Sequence, residues 1–194
     1  MNVILLCHGA THAMKAARFP TVDEPAERGE LTRFDLPRDV PVISSPAAAA
    51  RETASWLTSQ FTIDPAFDDI DYARWRGHAI REIAQQEAEN IAAWLSDVNA
   101  RPHGGESIAM LAERVAGALT RIGNDASHEC CIVVTHAIVV KAALAHVRGE
   151  ALASSLRMDF APLSSIQLTY DAAHRLWSVR NFDASARLKS IDSA

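Results

Sequence analysis

The chain has no basic excess. Its 194 residues carry 19 Lys and Arg against 24 Asp and Glu, a formal net charge of −5, with no run of Lys and Arg interleaved with aromatic residues. Nucleic-acid binders are built on such a footprint, so nucleic acid is not an expected partner. Long apolar runs are missing too. The run from Val3 to Leu6 is too short for the core of a secretory signal, and no apolar stretch is long enough to span a bilayer. A cytoplasmic protein with no membrane partner is expected. Cysteine is scarce: Cys7, Cys130 and Cys131 have no CxxC spacing and fall in or at the end of apolar runs, which reads as reduced core thiols. No internal repeat, low-complexity tract or domain boundary breaks the sequence. With 48% hydrophobic residues over this length, residues 1–194 are expected to form a single domain with a substantial core.

What is present centres on Asn2 to Thr11, NVILLCHGAT, where an uninterrupted apolar run stops at Cys7, His8 and Gly9. A run rich in Val, Ile and Leu without polar alternation is the pattern of a strand covered on both faces, as in parallel sheets. The pattern returns in CCIVVTHAIVV, where Cys130 to Val134 ends at Thr135 and His136. In open α/β sheets ligands bind outside the carboxyl ends of the strands. Two such strands would therefore bring His8 and His136 to one pocket.

Between them, His12 to Leu36 reads as a loop with short helices over the strand ends, and Val40 to Ser44 as a second short strand. Ser45 and Pro46 read as a hydroxyl cap and a first-turn proline, opening a helix to about Phe61. Asp64 to Arg76 reads as a polar loop carrying Asp69, Asp71 and Trp75, and two short helices are expected near 79–84 and 88–98. Arg101 to Glu106 reads as another loop. A helix from Ser107 to Ile122 follows, with Gly123 as its stop. The helix Ala137 to Val147 would aim its N-terminal N–H groups at the histidine pocket and attract an anion. Ile166 to Tyr170 and Trp177 to Val179 alternate as an antiparallel hairpin, with a surface tail from Ala184. The expected architecture is a three-layer α/β/α sandwich with a mostly parallel sheet and an antiparallel C-terminal hairpin.

Five segments in order, CHGAT, SSPAAAARETA, DDIDYARWRG, PHGGES and VVTHA, resemble motifs of the histidine phosphatase superfamily, also called phosphoglycerate mutase-like. The resemblance implies that His8 is the nucleophile taking a phosphoryl group, that Asp69 stands where the family's proton donor sits, and that His136 is the second pocket histidine. It also places Cys7 and Ala49 where the family has two pocket arginines and Met14 where an asparagine is common. Cys7, Thr11, Arg18, Ala49 and Ala137 are then the expected substrate-binding positions. Arg51 should face away from Ala49's side of the helix. Lys15, Arg18, Arg74, Arg76, His12 and His103 are the candidates for a replacement cation.

The chemistry is consistent on its own terms. A neutral imidazole is a usable nucleophile near its ordinary pKa of about 6.5. Asp69 can supply a proton only where burial raises its pKa. Each missing donor in such a pocket lowers the rate roughly a hundredfold to a thousandfold. Three readings follow from the sequence. One is an atypical or impaired phosphomonoester hydrolase without a cofactor, acting on a small phosphorylated molecule. Another is a silent relative that binds a small anionic ligand or a protein partner. The third is a metal site assembled from Cys7, His8, His12, His136 and Asp69. Substrate identity and oligomeric state are not written in the sequence.

Overall fold

A computed structural model describes residues 1–27, 40–125 and 127–183. Its centre is the parallel pairing of β1 (Asn2–Cys7) with β4 (Cys130–Thr135), in register from Asn2↔Cys130 to Cys7↔Thr135. β2 (Val42–Ser44) pairs in parallel with β4 on the other side, and β3 (Thr62–Ile63) in parallel with β2. β5 (Ser165–Asp171) runs antiparallel to β1, and β6 (Leu176–Asp183) antiparallel to β5. The order is β3-β2-β4-β1-β5-β6. The two apolar runs are thus the central strands, which explains why neither alternates.

Side chains of β1 and β4 feed two separate layers. Val3, Leu5 and Val133 pack with Leu111, Val115 and Leu119 of α5 (Ile108–Asn124) and with Val139, Val140 and Leu144 of α6 (Ala137–Arg148). Ile4, Leu6, Ile132 and Val134 pack on the other face against Ala50 and Ala54 of α2 (Ala48–Leu57). The small side chains of α2 let it lie close on the sheet. Burying each of the larger residues contributes about 1.5–3 kcal/mol. α1 (His12–Lys15), α3 (Ile80–Gln86), α4 (Ala88–Ser96) and α7 (Leu152–Leu156) are short elements. Phe19, Trp75 and Ile83 form a satellite cluster with Tyr72, Ile91 and Trp94. Among the described residues, no helix is long and apolar enough to cross a membrane.

Four local expectations are corrected. The helix expected from Ser45 begins at Ala48, with Ala47 at its N-cap and no side-chain cap bond; the Ser45 hydroxyl is engaged elsewhere. That helix ends at Leu57 rather than near Phe61, because Thr62–Ile63 is drawn into the sheet as β3. Gly123 does not stop α5, which runs to Asn124. A Cβ at 123 would stand 3.0 Å from the Tyr170 ring and 3.1 Å from Trp177, so the glycine lets helix and hairpin touch. Cys130 is half-buried, whereas Cys7 and Cys131 are buried, and all three are free thiols. The last part of the expected loop, from residue 28, and the tail from Ala184 lie outside the described residues.

The loop before α5 is pressed on the loop that carries Asp69. Glu106 N–H donates to the Asp71 carbonyl at 3.0 Å, and a Cβ built on Gly105 would fall 1.9 Å from that same oxygen. Gly105→Ala is therefore expected to force the two loops apart and destabilise the protein by about 1–3 kcal/mol, read as a lowered urea midpoint. An unchanged midpoint would show that the loops part without penalty.

Candidate active site

Three neighbouring parallel strands stop together, and each hands a polar residue to the same place. β1 is followed by His8, whose N–H donates to the Thr135 carbonyl at 2.9 Å; β4 is followed by His136; β2 is followed by Ser45, whose N–H donates to the Val134 carbonyl at 2.9 Å. The two imidazoles lie 4.9 Å apart between centroids with their planes at 70°. They face a cavity of about 650 Å³ that Asp68 and Asp69 also line.

Hydrogen bonds fix which ring nitrogens carry protons. His8 Nδ1 lies 2.7 Å from the Gly9 carbonyl, which can only accept, so Nδ1 bears the hydrogen and Nε2 keeps its lone pair. Ser45 Oγ donates to Asp68 Oδ1 at 2.9 Å and accepts from Ala47 N–H at 3.1 Å. Its single hydrogen is then committed, and His136 Nε2–H, 2.8 Å away, must donate to it. The His136 lone pair is left on Nδ1, 3.7 Å from Asp69 Oδ2.

Burial, reinforced by the neighbouring His136, pushes His8 down to about 4. Burial likewise lowers His136 to about 4, with Arg114 acting in the same direction and Asp68 opposing. Asp69 moves the other way, up to about 6, chiefly through burial and with help from Asp68, against the Ile70 N–H, His8 and Arg114. The ordinary order of Asp and His is inverted. Between about pH 4 and 6, a neutral imidazole and a protonated carboxyl stand in one cavity.

Arg114 holds the acid-bearing loop. Its guanidinium bonds Glu106 at 2.7 and 2.9 Å and the carbonyls of Ala66, Asp68 and Asp69 at 2.8, 2.8 and 2.9 Å. With Nε–H, both Nη2 hydrogens and one Nη1 hydrogen engaged, this arginine holds the backbone that positions the two aspartates.

The sequence profile of the histidine phosphatase superfamily (branch 1) matches residues 27–183. The chain belongs to this superfamily. It is 28% identical over 187 residues to a bifunctional protein of Mycobacterium tuberculosis, covering 89% of this chain and 51% of the relative. The chain thus spans about half the length of the first curated relatives it matches. It is 26% identical over 190 residues to phosphoserine phosphatase 1 of Hydrogenobacter thermophilus, covering 87% of each chain. Its fold superposes on the alpha-ribazole phosphatase of Shigella flexneri with a TM-score of 0.84 over 100% of both chains, at 20% identity.

Within this superfamily fold, Cys7, His8, Thr11, Arg18, Ala49, Asp69, His136 and Ala137 all line the one cavity. Cys7 is a core thiol whose pKa burial pushes up to about 11, with a hydrogen bond to Ser164 opposing. Thr11 is buried and caps α1 by accepting from Met14 N–H. Arg51 is exposed, as its spacing from the buried Ala49 requires. Arg18 lines the cavity, and its buried Nε has no hydrogen-bond partner among the described residues.

Other candidates for a replacement cation are placed elsewhere. Lys15 pairs with Glu27, Arg74 with Glu87 and the Pro102 carbonyl, and exposed His12 does not line the cavity. His103 is buried beside Trp75, accepting from Gly105 N–H through Nδ1. Arg76 lines the cavity but is paired with Asp71 at 2.9 Å. Among the described residues, no group of three or more His, Cys, Asp or Glu can hold a metal. Ser45, Asp68, Arg114 and Lys141 are site residues that sequence reasoning missed. Only Ser45 carried a signal: it follows its strand as the two histidines follow theirs.

Asp69 binds its proton more tightly in the folded protein than its ordinary value of 3.8, so folding stability is lost as pH rises from there through about 6. Asp69→Asn removes that loss. The variant is expected to melt higher than wild type at pH 7.5, with the difference shrinking toward pH 4. Thermal unfolding at both pH values checks it, and a difference independent of pH would contradict the burial account.

Proposed function

We propose that the chain is a phosphomonoesterase that works through a phosphohistidine. One observation carries the reading: a lone-pair Nε2 of His8 in the same cavity as His136 and as an acid held protonated well above its ordinary range. Nε2 of His8 attacks phosphorus, and the bond to the leaving alcohol oxygen breaks as Asp69 delivers its proton to that oxygen. The Asp69 carboxylate so formed takes a proton from water, whose oxygen attacks the phosphohistidine. The N–P bond breaks, and inorganic phosphate leaves with His8 neutral and Asp69 protonated again. His136, the Ala137 N–H at the start of α6, Thr11 and Arg18 surround the transferred group, and Cys7 and Ala49 line the wall beside it. Superfamily relatives bearing phosphatase names support the reaction class.

The phosphoryl charge meets fewer cations here than the superfamily motifs would supply, because positions 7 and 49 hold Cys and Ala. Turnover is accordingly weak, and a small phosphorylated molecule is the substrate class. A second reading, ligand binding without turnover, is favoured by Cys7 and Ala49 themselves, since a transition state needs the missing cations more than a bound ligand does.

Hydrolysis of p-nitrophenyl phosphate between about pH 3 and 8 separates the two. The rate is expected to fall below about pH 4 as His8 protonates and above about pH 6 as Asp69 ionises. His8→Ala should abolish it, and Asp69→Asn should lower it about 10²–10⁴-fold and remove the alkaline limb. Comparing variants on one ester cancels the substrate's own titration. Thermal stabilisation by inorganic phosphate with no hydrolysis at any pH would establish the second reading instead.

A further inference from the structure

We propose that Lys141 is a second cation that meets the phosphoryl group alongside Arg18, doing from α6 what an arginine at position 7 would do from β1. The assignment rests on the phosphatase reading and names the group that balances charge in that site. Lys141 lies four residues after Ala137 and three after Ile138, hence on the helix face that carries them, and all three line the cavity. Helical side chains lean toward the N-terminus, and the N-terminus of α6 is His136. The Lys141 stem thus leaves α6 on its cavity-facing side, with its head at the Leu156 carbonyl.

Its ammonium is under-used. Nζ donates once, to the Leu156 carbonyl at 3.1 Å, and no carboxylate among the described residues lies in ion-pair range, so two of its three donor hydrogens are uncommitted. Burial lowers its pKa, partly offset by Asp159. The same charge is felt by the neighbouring Cys7 thiol, which it pulls down against burial. Cys7 immediately precedes His8 and faces the same cavity, so this ammonium stands on the side of the pocket where residue 7 comes through. A small thiol at 7 leaves that space open, and a four-carbon stem is flexible enough to swing its head from Leu156 toward an anion. Arg76 and Arg114 do not compete for the role, since each is already bound to carboxylate.

The test uses inorganic phosphate as the probe and the full chain as the protein. Lys141→Met keeps the stem and removes the charge. It is expected to weaken phosphate binding about tenfold to a hundredfold, read from the phosphate dependence of the melting temperature, while Lys141→Arg stays within about threefold of wild type. kcat/KM for p-nitrophenyl phosphate should follow the same order. In the Lys141→Met background, Cys7→Arg should restore phosphate affinity. Lys141→Arg provides the comparison where the buried arginine prevents folding. Phosphate affinity and kcat/KM unchanged in Lys141→Met would overturn the assignment of Lys141 and leave the phosphatase reading standing. A wild-type protein that hydrolyses no ester would overturn that reading, whatever the lysine does.

Discussion

The site depends on the register of one parallel strand pair. β1 and β4 are paired through to Cys7↔Thr135, and the next bond, His8 N–H to the Thr135 carbonyl, closes the ladder at the point where both chains leave the sheet. A slip of one residue would turn each side-chain set to the opposite face. It would exchange the layer of Val3 and Leu5 with that of Ile4 and Leu6, and no partner helix is built for the exchange. Core packing on both faces therefore fixes the 4.9 Å separation of two imidazoles that contribute little to the core themselves.

The buried titratable groups of the site oppose folding, and the core favours it. Two imidazoles held neutral and one carboxyl held protonated up to about pH 6 are groups whose charged forms have been denied water. They persist because the backbone around them is over-determined. Arg114 binds the Ala66, Asp68 and Asp69 carbonyls and the Glu106 carboxylate, and Thr135 Oγ donates to the Phe67 carbonyl at 2.6 Å on the same loop. Asp68 and Ser45 fix one imidazole, and the Gly9 carbonyl fixes the other. The inverted order of Asp69 and His8 follows from this placement, since burial is the largest cause for both.

How much of this was legible depended on how local the signal was. The central strands could be read because burial on both faces removes polar alternation from a contiguous run, and the two terminal histidines came with them. Asp69, Thr11 and Ala137 were read from motifs that sit in fixed order along the chain, and Arg18 as one of several loop cations beside the first of them. Ser45 was misread because Ser-Pro has a strong local meaning as a helix start, and here the long-range bond to His136 overrides it. Arg114 and Lys141 carried no sequence signal. Each is a cation on an amphipathic helix, and what separates it from a solvated surface residue is the loop or helix packed across from it. Gly123 failed for the same reason, its partner being a hairpin more than forty residues away.

A lysine in the role of a guanidinium changes what the pocket can recognise. An arginine fork reads two oxygens of a planar or tetrahedral anion at fixed geometry, whereas an ammonium is a point charge on a mobile stem. The bond of Nζ to the Leu156 carbonyl ties the position of that charge to the α6–α7 corner, which is also a wall of the cavity. A substrate that packs on Leu156 therefore acts on the lysine's anchor as well as on the wall. In the proposed reaction, charge placement and recognition of the alcohol portion would be coupled through one carbonyl, a looser coupling than a fork fixed at the end of a central strand.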